Sequence, residues 1–207
     1  MSQVIPKKQV GESFAITSPS REGWGRLAMW LFLASDGMTF GGLLIGHLVL
    51  RAQNMDWPSP ADHLALTLGA VMTALLLGSS ITMVKALSAV RENARRRFSR
   101  FLLLTLSAGV LFLLLQAYEW NHLLHTGMTA SMNPWGAPLF GATFYTLTGF
   151  HGLHVLGGVI YLSCILINGR KKTVLAAYHD RVEIAGLYWH FVDVVWVFVF
   201  SCVYLWT

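Results

Sequence analysis

The chain has 207 residues, of which 55% are hydrophobic, 13% aromatic and only 12% charged. A soluble domain of this size carries charge on roughly a quarter of its residues, so the composition excludes a water-soluble globule and predicts a membrane protein. The formal charge of +5 does not indicate a nucleic-acid partner, because the basic residues flank the apolar segments. Cys164 and Cys202 lie within apolar segments, where cysteines act as small hydrophobic residues, so no disulfide is expected.

Residues 1–23 are polar and contain no compact apolar stretch, which predicts a cytoplasmic segment without a cleaved signal peptide. Five apolar segments follow, and each is long enough to cross a bilayer as a helix at about 1.5 Å of rise per residue. The predicted spans cover 27–50, 64–87, 100–122, 139–168 and 183–206. None of them alternates as a barrel strand does. The sequence therefore predicts an all-α, polytopic bundle of five transmembrane helices that forms one membrane domain over 24–207.

Lysines and arginines are distributed unevenly around these spans. Fourteen of the 15 lie before the first span, in residues 85–100 or in residues 169–182, whereas Arg51 follows the first span. By the positive-inside rule, the N-terminus and these two loops face the cytoplasm and the C-terminus is periplasmic. We expect four arginines of one loop to contact anionic lipid headgroups, at about 1 kcal/mol each. These are Arg95, Arg96, Arg97 and Arg100.

Asp36 and Asp193 are the only charged residues deep inside the apolar spans. His190 precedes Asp193 by three residues and shares its helix face. His151 and His154 repeat at the same spacing in the fourth span, and the rise per residue places His154 at about the depth of His190. A carboxylate in the middle of a bilayer costs a few kcal/mol, so each needs a partner or a proton. These five residues predict a buried polar core.

Three interpretations of this core compete. His154 and His190 would permit axial ligation of a haem between two helices. Asp36 and Asp193 would suit a proton or ion path, the usual role of intramembrane carboxylates, although the second span offers only hydroxyl side chains as a relay. A hydrogen-bonded core that sets the register of the helices is the third interpretation, and we favour it.

Two smaller polar groups lie near the ends of the spans. Glu119, His122 and His125 cluster at the outer end of the third span, where a metal site competes with simple contact to water and headgroups. Their spacing matches no zinc motif, so the second interpretation is favoured. His179 and Glu183 are four residues apart at the cytoplasmic entrance of the fifth span and can form a helix-face pair. We expect no catalytic and no metal-ligating residue in this chain.

Four stretches of the sequence closely resemble subunit III of the haem–copper terminal oxidases. The most specific is Leu187–Trp196, which reads LYWHFVDVVW, and Thr146–Val155 precedes it with TLTGFHGLHV. Trp30–Asp36 is similar to the first helix of the five-span form of that family, and Gln116–Trp120 to its third helix. The resemblance extends over about 24–206.

This resemblance implies a subunit without redox centres of its own, whose partner subunits carry the haems and the copper. The expected partners are the catalytic subunit I, subunit II, further small subunits or a respiratory supercomplex, and phospholipids. The family reduces dioxygen to water and pumps protons, and this subunit supports proton uptake, sustained turnover and lipid binding. Five spans, rather than the seven of the mitochondrial form, imply a short bacterial version in the plasma membrane.

The branch of the family is indicated by two features. Asp36 lies where the family has a buried carboxylate, commonly Glu in cytochrome c oxidases and Asp in some quinol oxidases. His179 and Glu183 match the HxxxE element that precedes YWHF in many cytochrome c oxidases, and we favour that branch. A bo-type quinol oxidase subunit and a nitric-oxide-reductase accessory protein are alternatives. A stand-alone proton-coupled transporter is a rival of another class, and the odd number of spans without internal repeats argues against it.

Overall fold

A computed structural model describes residues 21–171 and 178–206, which contain helices and no strand. The predicted polar segment 1–23 lies almost entirely outside these ranges. The elements are α1 (Arg21–Gln53), α2 (Pro60–His63), α3 (Leu66–Arg91), α4 (Arg95–His125), α5 (Pro138–Lys171), α6 (His179–Phe200) and a π-helical end, Ser201–Leu205. All but α2 and the π-helical end are long and apolar enough to cross a membrane. The predicted all-α class and its five spans are confirmed.

Each long helix extends beyond the predicted span at one end or at both. Arg95 begins α4 and His125 ends it, although both lie outside the apolar stretch that was predicted from the sequence. Hydropathy identifies the part of a helix that matches the hydrocarbon core, whereas the helix itself continues through the headgroup region. The apolar stretch therefore gives a lower limit on helix length.

Two of the long helices end in the same capping motif. Asn93 follows α3 with a φ of 52°, and the backbone N–H of Ala94 donates to the carbonyl of Ala89 at 2.8 Å. Gly127 follows α4 with a φ of 92° and closes that helix in the same way. This Schellman motif satisfies the last carbonyls of a helix and needs a residue that tolerates a left-handed backbone, which Gly and Asn do. After α3 the motif is followed at once by α4, which packs along α3.

The two loops at the opposite end of the bundle from Asn93 are held together through their backbones. Ala137 donates its N–H to the carbonyl of Asp56 at 3.0 Å. Gly136, with a φ of 145°, lies so close to this carbonyl that any side chain would collide with it. Glycine at this position therefore lets the loop before α5 pack on the loop after α1.

The helices lie around the bundle in the order α1, α5, α4, α3 and α6, and α6 also contacts α5. α6 is the most buried of the five spans and α1 the least. The Trp189 side chain of α6 is fully buried, and its ring lies against Gly109 of α4 and Gly158 of α5. Small residues at these two positions allow three helices to approach one large indole, which is the usual way that membrane helices gain packing contacts.

Candidate functional site

Polar side chains join the helices through the interior of the bundle. Between α6 and α3, two indole N–H groups of α6 each donate to a hydroxyl of α3. Trp189 donates its indole N–H to the Ser79 hydroxyl at 2.8 Å, and Trp196 donates to the Thr73 hydroxyl at 3.0 Å. Both indoles are fully buried. A buried N–H without an acceptor is costly, so these bonds fix how α6 is rotated against α3. Hydroxyl groups of α3, the second span, thus accept hydrogen bonds from α6.

Asp36 of α1 and His154 of α5, two members of the predicted polar core, form a buried pair. The Nε2 atom of His154 lies 3.2 Å from Oδ1 of Asp36, and the two side chains are only 14% and 9% exposed. Oδ2 of Asp36 has no hydrogen-bond partner among the described residues. Phe40 covers the pair, with its ring centroid 5.2 Å from the imidazole. This contact joins α1, the least buried span, to the rest of the bundle.

The protonation of this pair follows from its neighbours. Nδ1 of His154 lies 2.8 Å from the Phe150 carbonyl, which can only accept, so Nδ1 carries a proton. A neutral imidazole would then present a bare Nε2 to a carboxylate, and two acceptors would face each other. A second proton must therefore reside on His154 or on Asp36. In both cases the pair has no net charge, which removes most of the cost of placing it within a membrane.

His190 of α6 contacts α3. Its Nδ1 atom lies 2.5 Å from the Ser80 hydroxyl of α3. Asp193 is 2% exposed, and neither of its oxygens has a well-formed hydrogen bond within the described ranges, although Ser80 is close enough to interact with it. The predicted polar core therefore consists of two groups, Asp36 with His154 and His190 with Ser80 and Asp193.

His151 is fully buried in aromatic surroundings. Its ring lies 5.4 Å from that of Phe112 and 5.0 Å from that of Trp196. Neither ring nitrogen has a hydrogen-bond partner in the part of the chain that the structure describes. His151 thus lies one helical turn from the Asp36–His154 pair without being hydrogen-bonded to it.

The contacts of His154 argue against the haem interpretation. Both ring nitrogens of His154 already have partners, the Phe150 carbonyl and the Asp36 carboxyl group. Axial ligation needs one free imidazole nitrogen from each histidine. His154 could provide one only by breaking a buried contact.

His47 is a buried histidine that the sequence analysis missed. It is 1% exposed in α1, and its Nδ1 atom lies 2.9 Å from the Thr143 hydroxyl of α5. The signal that identified His151, an ionisable residue within an apolar run, is also present here. His47 gives α1 a second polar contact with α5.

His179 and Glu183 are brought together at the start of α6, as their spacing predicts, with 3.7 Å between Nδ1 and Oε2. They belong to a larger network that the spacing did not reveal. Arg26 of α1 lies 3.1 Å from both Glu183 and Asp180. Arg91 of α3 donates to Nε2 of His179 at 3.1 Å. This network joins three helices at one end of the bundle.

The same cluster has the spacing of a metal site. Ligand atoms of His179, Asp180 and Glu183 all lie within 4.8 Å of one another. Arg26 already supplies a cation to both carboxylates. The side chains are partly exposed, and a partly exposed group with its own counter-ion favours an ionic network over a metal ion.

Glu119, His122 and His125 are placed in different surroundings at the end of α4. Glu119 is 3% exposed, and the Tyr204 hydroxyl donates to its Oε2 at 2.7 Å. Glu119 and His122 both line a cavity of about 290 Å³ between α4 and the start of α3. His122 and His125 are exposed, and His125 does not line this cavity. Tyr204 follows Glu119 by 85 positions, and no local spacing could have connected them.

The four arginines near the start of α4 are exposed. Arg97 forms an ion pair with Glu92 at 2.5 Å, which closes the turn between α3 and α4. Their exposure agrees with contact to headgroups, and that contact stays a prediction.

Comparison with known proteins places this geometry in context. The family model described as cytochrome c oxidase subunit III matches residues 17–207. Cytochrome c oxidase subunit 3 of Alkalihalophilus pseudofirmus is 37% identical over 86% of this chain and 85% of that protein. The subunit 3 of Bacillus subtilis is 35% identical over 97% of both chains. That of Synechocystis is 38% identical over 84% of this chain and 72% of that protein.

Proposed function

The chain belongs to the cytochrome c oxidase subunit III family, and from this premise we propose that its interior polar contacts hold the bundle in the shape that the catalytic subunit recognises. It is a multi-pass membrane protein and the non-redox subunit of a haem–copper oxidase complex. The resemblance noted in the sequence therefore identified the family correctly. The contribution of this subunit is structural, and the haems and the copper belong to its partners.

The observation that carries this proposal is the Asp36–His154 pair between α1 and α5. Helices in a bilayer gain little from the hydrophobic effect, because lipid tails are as apolar as their side chains. Association then depends on close packing and on interhelical hydrogen bonds. α1 has the smallest buried share of the five spans, so its polar contacts matter most for its position.

We place the protein in a bacterial plasma membrane, with the N-terminal end of α6 at the cytoplasmic face. The positive-inside rule supports this orientation, because Arg91 and the four arginines around the start of α4 lie at the same end as His179. The network of Arg26, Asp180 and Glu183 then lies at the surface from which protons are taken up. The proposed partners are subunits I and II and membrane phospholipids, with further small subunits or a supercomplex as additional ones.

Co-purification followed by an optical spectrum tests this function. An affinity tag on this chain should recover a complex with haem a and copper, as expected for a cytochrome c oxidase. Haems b and o would instead assign a quinol oxidase, and nitric-oxide reduction by the recovered complex would assign the accessory-protein alternative. Recovery of a haem-free chain that drives proton-coupled flux in vesicles would contradict the proposal and support the transporter.

A further inference from the structure

The contacts of His179, at the start of α6, show which of its ring nitrogens carries a proton. Arg91 of α3 donates from Nε to Nε2 of the imidazole at 3.1 Å. A guanidinium group has no acceptor, so Nε2 carries no proton in this contact. The Nδ1 atom lies 3.3 Å from Oδ1 of Asp180, and a carboxylate can only accept, so the ring proton is on Nδ1. His179 is therefore a neutral imidazole in this arrangement.

A second proton on His179 conflicts with the contact to Arg91. This proton would bind to Nε2, which has the only free lone pair of the ring, and would point at the Nε–H group of the guanidinium. Two donors and two positive charges would then face each other across 3.1 Å. The contact with Asp180 would instead become stronger, because an imidazolium donates a charge-assisted hydrogen bond to a carboxylate. Protonation thus favours the contact within α6 and opposes the contact with α3.

The charges around His179 indicate which group leaves. Arg26 of α1 lies 3.1 Å from the carboxylates of both Asp180 and Glu183, and Glu183 lies 3.7 Å from Nδ1 of His179. With a neutral imidazole, two arginines balance two carboxylates, and an imidazolium adds a third cation. No hydrogen bond other than that to His179 joins Arg91 to the part of the chain that the structure describes. Arg91 is therefore the cation that is released.

His179 lies where the pH of the surrounding water can act on it. Its side chain is 30% exposed, and histidine is the side chain that ordinarily changes its charge between about pH 5 and pH 8. The nearby Arg181 lies over the Tyr178 ring, 5.3 Å from its centroid. Deeper in the bundle, the indoles of Trp189 and Trp196 bond to hydroxyls of α3, and neither group titrates in this range. A change in the charge of His179 would therefore act only on the end of α3.

We propose that His179 is a pH-sensitive switch between the start of α6 and the end of α3. The neutral imidazole joins Arg91 to the carboxylates of α6. When acid protonates the ring, the imidazolium pairs with Asp180 and Glu183 and releases Arg91, so that the last turn of α3 loses its link to α6. This regulation goes beyond the structural role proposed above, and it requires neither the orientation of the chain nor its branch of the family.

Hydrogen–deuterium exchange of the purified complex, followed by mass spectrometry, tests this switch. Exchange of residues 88–94, at the end of α3, is compared at about pH 8 and about pH 5.5 after correction for the intrinsic effect of pH. The wild type should exchange this segment about fivefold faster at the lower pH, as expected from the loss of one hydrogen bond at an exposed site. Exchange of the α3 segment around Ser79, which is held by Trp189, should not change.

Three variants identify the group that responds. In His179→Gln, the amide can accept from Arg91 and donate to Asp180 but cannot gain a charge, so exchange should be slow at both pH values. His179→Lys carries a permanent positive charge, and its exchange should be fast at both. His125→Gln removes an exposed histidine at the opposite end of the bundle and should keep the wild-type response. Equal exchange of the wild type at both pH values would overturn the proposal, and so would an acid response that persists in His179→Gln.

Discussion

The carbonyl of Phe150 determines the chemistry of the Asp36–His154 pair. Because it holds the Nδ1 proton of His154, the remaining contact needs one further proton and the pair is neutral as a unit. A pair without net charge suits a structural role, because it joins two helices without placing a charge in the bilayer. A carboxylate that carries protons across the membrane would instead need to change its charge during turnover.

Single and double substitutions at this pair test its structural role. Asp36→Leu leaves Nε2 of His154 buried without a partner and should destabilise the protein by about 1–3 kcal/mol. Asp36→Asn, whose amide can donate to Nε2, should cost less. The double variant Asp36→Leu with His154→Leu should be milder than Asp36→Leu alone, because no polar group remains unpaired.

Thermal denaturation of the purified complex measures these differences, and Asp36→Leu, His154→Leu and the double variant together form a thermodynamic cycle. Strictly additive losses would show that the two side chains act independently. That result would contradict the account of the pair.

At the scale of the helices, α6 is held by large indoles inserted beside small residues. Trp189 lies between Gly109 and Gly158, and a Cβ atom on Gly109 would approach the ring to 2.6 Å. The indole is fully buried and bonded to Ser79, so it cannot move aside cheaply. The position of α6 thus depends on the absence of a side chain on α4.

Gly109→Ala should therefore destabilise the bundle by about 1–3 kcal/mol through overpacking. Gly78→Ala is the matched control, because a Cβ atom at Gly78 would meet nothing within 4 Å. Its effect should be close to zero or slightly stabilising, as alanine favours the helix. The measurement is the unfolding temperature of the two variants in the same detergent. Equal effects at both positions would contradict the packing described for Trp189.

The sequence revealed the spans but not the rotation of each helix about its axis. Hydropathy located all five helices, and depth along the spans grouped Asp36 with the buried histidines without indicating which of them it contacts. The same depth placed His190 in this layer, but it did not indicate that His190 contacts Ser80 of α3. Which side chains meet across two helices depends on packing, and no periodicity within one helix contains that information. For the same reason, the acceptor roles of the hydroxyls on α3 could not be predicted.

At the scale of the whole molecule, polar contacts between helices lie in the interior and large apolar side chains cover the outer faces. Polar contacts connect α1 to α5 and α6 to α3, and the ionic network around Arg26 joins α1 to α6. An assembly held in this way presents fixed surfaces to lipids and to neighbouring subunits. These contacts favour a bundle that keeps one shape during turnover, as expected of a subunit that supports a catalytic partner.

The central claim is that the buried histidines and aspartates of this chain hold its shape and take no part in redox chemistry. The most direct test is the optical spectrum of the complex purified with His190→Ala, with Asp193→Leu as a second variant. We predict that both variants lower the yield of complex or shorten its active lifetime, while the haem absorbance per assembled complex equals that of the wild type. Loss of a haem band from a His190→Ala complex that still contains all its subunits would contradict the claim.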